Sequence, residues 1–351
     1  MTAEIRIAGR RIGPGHRPYV VAELSANHLG GLERALAIVD AAARAGVDAV
    51  KLQTYTPDTI TIDHTGPGFV LESGPWRGRR LYELYQEAHT PWQWHAALFE
   101  RARALGIAAF SSPFDASAVS LLESLGCPAY KIASFELVDP ALIAAAAATG
   151  KPLLLSTGMA DGKEIAEAIA AARAAGAREV ALLHCVSSYP SRVEDSNLRT
   201  IPDMAQRFGV PVGLSDHTLG TTVAVAATVL GACVIEKHAT LRRADGGPDA
   251  AFSLEPDELA RLVEDAAAAF AALGAIHYAP EESELAMRAL RRSLYVVADM
   301  APGETFTQQN LRSIRPGHGL PPRHLPEVLG RRARGAIARG TPLSWSLVDE
   351  M

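Results

Sequence analysis

The chain is expected to fold as a (β/α)8 barrel followed by a small β-rich domain. Eight apolar, strand-like runs follow one another between Val20 and Thr240, and almost every one ends in a charged or polar group. Helix-like stretches rich in Ala, Leu, Arg and Glu separate them. After Gly274 the texture changes to short apolar runs between Pro-Gly and Arg-Gly turns. Strand–helix alternation of this kind predicts a closed parallel sheet, apolar inside, with chemistry at the C-terminal strand ends. The pattern is that of an enzyme.

Residues 4–19 alternate and contain Gly13-Pro14-Gly15, which predicts a small hairpin ahead of the barrel. The eight runs then end at AEL (Glu23), VKLQ (Lys51, Gln53), FSSPF (Ser111, Ser112), YKIAS (Lys131, Ser134), LLLST (Ser156), LLHCVSSYP (Ser187, Tyr189), GLSDH (Ser215, His217) and IEKH (Glu236, His238). The first helix is expected over 32–45, closing at Gly46, a natural residue just past a helix end. Residues 57–90 read as an irregular stretch too long for an ordinary βα loop, of the kind that forms lids. Asp161, three residues before Glu164, reads as the cap of a helix carrying Ile165 and Ile169 on one face. The last barrel helix is expected over 256–273. The domain reading is a catalytic barrel with its hairpin over 1–275, a linker over 276–292 with a short helix expected at 278–292, and a small domain over 293–351. So small a domain has a thin core and is expected to lean on a partner surface.

Composition narrows the classes. A formal net charge of −5 over 351 residues gives no basic field, which excludes nucleic acid as an expected partner. Cys127, Cys185 and Cys233 are scattered, with no CxxC pair, and read as buried reduced thiols of a cytosolic protein. The N-terminal residues lack an apolar core and do not read as a signal peptide. The longest apolar stretch, around 223–235, is too short to span a bilayer. A soluble cytoplasmic enzyme with no membrane contact is the expectation.

Barrel closure makes the eighth strand a neighbour of the seventh and the first, so His217, His238 and Glu23 end on three consecutive strands about 5 Å apart. Two histidines beside a carboxylate suit a divalent metal with open positions. Glu23 fits a role with substrate hydroxyls or protons beside the metal better than direct ligation; the plain alternative makes each histidine a packing residue. Lys51 and Lys131 lie inside apolar strands, where a charge is costly unless it meets an anion. An ion pair with Glu136 or Glu236 is one alternative, and a Schiff-base lysine another. Hydroxyls of Ser111, Ser112, Ser134, Ser156, Ser187 and Ser215 surround the same rim, and Ser156-Thr157-Gly158 precedes a helix N-terminus that would attract phosphate. Singly these serines are caps or turns. Together with two lysines they point to a phosphorylated, carboxylated substrate.

These motifs resemble the sialic acid synthase family, which includes N-acetylneuraminate, legionaminate and pseudaminate synthases. The resemblance spans AELSANHLGG (22–31), VKLQT (50–54), YKIASFEL (130–137), LSTGMA (155–160), HCVSSYP (184–190), GLSDHT (213–218), IEKHATL (235–241) and GPDAAFSLEP (247–256). RPGHGLPP (315–322) looks like the family's antifreeze-like (SAF) domain. The resemblance implies condensation of phosphoenolpyruvate with an open-chain N-acylated aldose, giving a nine-carbon 2-keto acid and phosphate. It implies a divalent cation (Mn²⁺, Co²⁺ or Mg²⁺) on His217 and His238. Lys51, Lys131, Ser134, Ser156, Ser187 and Ser215 would hold phosphate and carboxylate, and Gln53, Tyr189 and Asp249 would face the sugar. Ser111, Ser112, Glu136 and Glu236 complete the substrate-binding candidates. Arg315 would reach the partner's site in a domain-swapped homodimer.

The chain departs from the neuraminate branch, which usually reads Glu-Ile-Gly-x-Asn-His at positions 23–28 and Ser-Gly-Glu at 134–136. Ser134-Phe135-Glu136 and GPDAAFSLEP look instead like the pseudaminate synthases, whose acceptor is a 2,4-diacetamido-2,4,6-trideoxy hexose of altro configuration. The Phe135 ring suits a 6-deoxy methyl; rim packing is the neutral reading. Competing readings are a neuraminate or legionaminate synthase, a synthase of 3-deoxy sugar-acid phosphates, which lacks the small domain, and a non-catalytic carbohydrate-binding protein.

Overall fold

The computed structural model describes residues 4–74 and 76–350. It divides into two compact units, Met1–Gly274 and Ala275–Met351. In the first, β1 (Ile5–Ile7) and β2 (Arg10–Ile12) form the expected antiparallel hairpin, with Ile5 opposite Ile12. Ala8 and Gly9 turn the chain with φ of 48° and 84°, the left-handed pair that a two-residue hairpin needs. Ile5, Ile7 and Ile12 are buried in the barrel's own core, each burial stabilising by about 1.5–3 kcal/mol.

The strands β3 (Tyr19–Glu23), β4 (Ala49–Thr54), β5 (Ala108–Pro113), β6 (Tyr130–Ile132), β7 (Leu153–Ser156), β8 (Val180–Cys185), β9 (Val212–Asp216) and β10 (Val234–His238) close into one barrel, with β10 pairing β3. Every pairing is parallel, and the register sets the site: His238 stands opposite Glu23, Glu23 opposite Lys51, Gln53 opposite Ser112, and Glu236 opposite Ser215. The barrel is the architecture that the alternating runs predict.

Helices form where caps and apolar faces coincide. Gly162–Ala174 starts at Asp161, whose carboxylate accepts from the Lys163 and Glu164 amides while Glu164 returns a bond to the Asp161 amide. Pro256–Leu273 carries Leu259, Leu262 and Ala266 inward. The stretch expected to be irregular holds two helices, Pro57–Ile60 and Leu81–Ala88. The second has an apolar face that the sequence already carries at Leu81, Leu84 and Tyr85.

In the second unit, β11 (Ser293–Val296) pairs antiparallel with β12 (Leu311–Ile314). Leu294, Val296, Met300, Phe306, Leu311 and Ile337 are among its core residues, separate from the barrel core. The helix expected over 278–292 is instead two short 3-10 turns, Glu282–Glu284 and Ala286–Leu290. Their side chains are exposed, so no tertiary burial stabilises a longer helix there.

Candidate active site

Strand alternation puts one set of side chains inside the barrel, and its charged members meet as a network. Lys51 pairs with Glu23 across β3 and β4 and donates to Ser112 Oγ at 3.3 Å. Lys131 donates to Glu236 Oε1 at 2.6 Å and to Ser215 Oγ at 3.3 Å, while the Ser215 hydroxyl donates to the same Glu236 oxygen at 3.1 Å. Lys51 Nζ also lies 3.8 Å from Glu236, linking the two pairs. All these residues are buried.

Burial alone would push the Glu236 carboxyl up and the Lys51 ammonium down. The fields of the opposite charges win in both cases: Lys131 and Lys51 hold Glu236 down at about 2, and Glu23 with Glu236 holds Lys51 up. Glu23 goes the other way; burial, aided by Glu236, raises it against the pull of Lys51. A Lys51 held charged is a poor imine-forming nucleophile and a good anion donor. Each ammonium has three N–H donors, so the pairs leave capacity for an incoming anion.

The hydroxyl cradle depends on a glycine. Ser134 Oγ accepts from the Gly158 amide at 3.1 Å. A Cβ on Gly158 would stand 2.1 Å from Ser187 Oγ and 2.8 Å from Ser134 Oγ, so only glycine lets the two hydroxyls converge. Ser112, Ser134, Ser156, Ser215, Lys51 and Lys131 line one cavity with Gln53, Tyr189, Glu236, His217 and His238.

Two expectations are corrected here. Ser111 is not at the cavity: its hydroxyl bonds Thr54 Oγ1 at 2.6 Å, and Thr54 bonds His95 Nε2 at 2.9 Å. Successive strand residues face opposite ways, so Ser112 pointing inward sends Ser111 toward the helices. The helix after Gly158 does not offer its first amides to a phosphate, because Asp161 accepts from Lys163 and Glu164 at 2.7 and 2.9 Å. The amide that faces the hydroxyls is that of Gly158 itself.

On the other side of the mouth, His238 ends β10 and His217 follows β9, with ring centroids 5.3 Å apart. His217 Nδ1 donates to the Val186 carbonyl at 3.0 Å, so Nε2 carries the lone pair when the ring is neutral; burial works against the charged ring, but neighbouring Cys185 outweighs it and holds His217 above the usual histidine range. His238 Nδ1 is buried without a partner and lies 4.0 Å from Asp249 Oδ2. Burial, then the charges of His217 and the lysines, push His238 well below the usual histidine range, so it is neutral. Gln53 Nε2 donates to Ser25 Oγ at 3.2 Å, and the Ser25 hydroxyl donates to Asp249. Back on the serine side, Glu136 shares a 3-10 turn with Ser134; one of its carboxylate oxygens is buried without a partner, and burial raises it to about 7.

An aromatic wall completes this side. Tyr189 packs on His217 with centroids 4.5 Å apart, Phe252 on His238 at 5.0 Å, and Trp76 on Tyr189 at 5.7 Å. Trp76 also donates from Nε1 to the Pro248 carbonyl at 3.2 Å, tying the long loop to the segment carrying Asp249. Trp76, Phe252 and Ser25 are absent from the candidate site residues, and Gly158 entered only as part of the turn ahead of a helix, not as the residue that lets two hydroxyls converge. Phe252 sits inside the GPDAAFSLEP motif, whereas Trp76 has no local signal beyond its place in a long loop. Arg315 is exposed in the second unit, just after β12. Among the described residues, no group of three or more His, Cys, Asp or Glu side chains is arranged to hold a metal ion.

A parallel barrel with paired lysines, a serine cradle and two histidines at its strand ends defines a barrel-enzyme site built for an anionic substrate. The chain belongs to the NeuB family, whose pattern matches residues 38–278, and a SAF domain matches 291–349. It is 44% identical over 333 residues to the pseudaminic acid synthase of Helicobacter pylori, spanning 93% of this chain and 96% of that one. Identity to the pseudaminic acid synthase of Campylobacter jejuni is 42% over 325 residues, covering 93% and 95%. The N,N'-diacetyllegionaminic acid synthase of Legionella pneumophila is 34% identical over 94% of each chain. The crystal structure of the N-acetylneuraminic acid synthetase from Leptospira borgpetersenii, solved with citrate, superposes with a TM-score of 0.73 at 32% identity, covering 82% of this chain and 95% of that one.

Proposed function

We propose that this chain is a pseudaminic acid synthase, a transferase that joins phosphoenolpyruvate, water and open-chain 2,4-diacetamido-2,4,6-trideoxy-altrose into pseudaminic acid and phosphate. C3 of phosphoenolpyruvate attacks the aldehyde carbon, water adds at C2, and the tetrahedral intermediate expels phosphate. The observation that carries this reading is the division of one cavity between two paired lysines with converging serine hydroxyls and a wall of two histidines with Tyr189. Identity of 41–44% to pseudaminic acid synthases from two species supports the acceptor.

Lys51, Lys131 and the hydroxyls of Ser112, Ser134, Ser156, Ser187 and Ser215 bind the phosphate and carboxylate. Each charge-assisted hydrogen bond contributes about 1.5–3 kcal/mol. Glu23, held partly toward its protonated form by burial, is placed to move a proton at the reacting aldehyde. Gln53, Glu136, Tyr189 and Asp249 orient the sugar. His217, whose Nε2 is free to bind once the ring gives up its proton, and neutral His238, with an orphaned Nδ1, fit a divalent cation such as Mn²⁺, Co²⁺ or Mg²⁺. When bound, such an ion supplies Lewis acidity toward the sugar carbonyl.

Arg315 acts in trans, from the partner protomer of a domain-swapped homodimer in the cytoplasm. Mixing inactive Glu23→Ala and Arg315→Ala protomers tests the swap: activity returns if one site of the heterodimer is intact, and verified heterodimers that stay inactive sink it. The activity itself is tested with phosphoenolpyruvate, a divalent cation and a panel of mono- and diacetamido hexoses. Phosphate release and product mass should be greatest with the diacetamido trideoxy acceptor. Faster turnover of N-acetylmannosamine or of a legionaminate precursor moves the chain to another branch; no turnover with any hexose favours a binding protein.

A further inference from the structure

Ser25 occupies a backbone conformation that chemistry gives it little reason to hold. Its φ is +43°, in the left-handed region where a Cβ crowds the backbone and glycine is the unstrained choice. The residue is also 4% exposed, so no solvent contact explains a serine there. Its polar atoms do. The Ser25 amide donates to Glu23 Oε1 at 2.7 Å. Its hydroxyl donates to Asp249 and accepts from Gln53 Nε2 at 3.2 Å. The left-handed turn aims that hydroxyl at two groups carried by different elements: Gln53 on β4 and Asp249 ahead of Phe252. Glycine would hold the same turn and the same amide bond, but it would leave Gln53 without its tie and Asp249 held by the Ala26 amide alone.

We propose that Ser25 is a positioning residue that holds the Gln53 amide and the Asp249 carboxylate in register for an acceptor bearing hydroxyl and acetamido donors. The role rests on the acceptor-binding reading of Gln53 and Asp249 and assigns that side of the cavity a residue that touches neither reacting carbon. Asp249 has four possible acceptor positions on its two oxygens, of which the Ser25 hydroxyl and the Ala26 amide use two, so the carboxylate stays available to a sugar while its orientation is set. A side chain locked in this way loses little freedom when the sugar arrives.

Two variants separate the hydroxyl from the turn. Ser25→Gly removes both the hydroxyl and the strain; Ser25→Ala removes the hydroxyl and keeps the strain. In both, the KM for the acceptor should rise on the order of tenfold, the worth of one hydrogen bond to a charged group, while the KM for phosphoenolpyruvate stays within about twofold. The thermal midpoint of Ser25→Gly should lie above that of Ser25→Ala. Adding Asp249→Asn to Ser25→Ala should then cost less than Asp249→Asn costs alone, because the serine acts through the carboxylate. An unchanged acceptor KM in either variant, or an equal rise in both KM values, overturns the proposal. A wild-type protein that turns over no hexose sinks the activity reading instead, and the two failures are told apart in one assay.

Discussion

The two halves of the barrel mouth are completed to different degrees. On the lysine half each buried charge meets a counter-charge, Lys51 with Glu23 and Lys131 with Glu236, and the adjoining serines join the network. On the histidine half, His238 Nδ1 is buried without a partner. An unsatisfied buried polar atom costs about 1–3 kcal/mol, so such atoms persist where a ligand supplies the missing partner. The lysine half is therefore built ahead of binding for an anion whose charges are constant. The histidine half leaves a polar atom open, and under the proposed function this is the side that meets the acceptor sugar.

The comparison breaks most visibly at the histidines. His217→Ala or His238→Ala should lower kcat by about a thousandfold, the scale of several kcal/mol of lost charge stabilisation. Thermal unfolding should hardly change, because neither ring is part of the hydrophobic core. Chelation should abolish activity, and Mn²⁺, Co²⁺ or Mg²⁺ should restore it. Near-normal turnover by either variant would remove that residue from the open half.

The lysine half should respond in stability as well as affinity. Gly158→Ala places a Cβ against Ser187 Oγ and Ser134 Oγ, and should raise the KM for phosphoenolpyruvate about 10- to 100-fold with little effect on the acceptor. Lys131→Met should weaken phosphoenolpyruvate binding by about 1.5–3 kcal/mol and also destabilise the fold by about 3–5 kcal/mol, because buried Glu236 loses its nearest cation. Adding Glu236→Gln should restore most of the stability and none of the affinity, as read by urea unfolding and calorimetry. If stability is unaffected by Lys131→Met, the pair is not the structural unit that its geometry implies.

Legibility in the sequence follows the same division. The lysine half could be read because its residues end apolar strands, and a charge inside such a run has few explanations; Lys51, Lys131 and Glu236 lie where that logic places them. Ser111 was misplaced because FSSPF offers two adjacent serines, and which one faces inward is decided by register with β4, not by the run itself. Gly158 hid for a related reason: its importance lies in Ser134 and Ser187, which arrive from other strands. Trp76 and Ser25 depend on long-range closure, of the 57–90 loop onto Pro248 and of the β3 turn onto Asp249. No local pattern encodes either contact.

Glu136, on the turn that carries Ser134, offers a pH-dependent test on the serine side of the mouth. Burial raises its carboxyl from 4.5 to about 7. A carboxyl raised on folding favours the folded state below its unfolded value, and that advantage is lost as pH rises toward the folded value. Relative to Glu136→Gln, the wild-type protein should thus lose about 1–3 kcal/mol of stability between pH 4.5 and 7. The acceptor kcat/KM should show an inflection near pH 7 that the glutamine variant lacks. Coincident stability curves for the two proteins between pH 5 and 8 would mean that Glu136 is solvated after all.

The smallest effect belongs to Phe135, which neighbours Glu136 on the same turn and is 60% exposed. If its ring covers the C6 methyl of the acceptor, Phe135→Ala should erode the preference for a 6-deoxy sugar over its 6-hydroxy counterpart. One methyl in an apolar pocket is worth about 1–3 kcal/mol of discrimination. A ring this exposed shields only part of a methyl, so the low end applies, roughly a fivefold loss of preference. The measurement is the ratio of kcat/KM for the two sugars, which cancels any general damage to catalysis. A ratio that does not move assigns Phe135 to the packing of the rim. Discrimination would then rest with the Trp76, Tyr189 and Phe252 wall, where truncating Trp76 is the next substitution to measure.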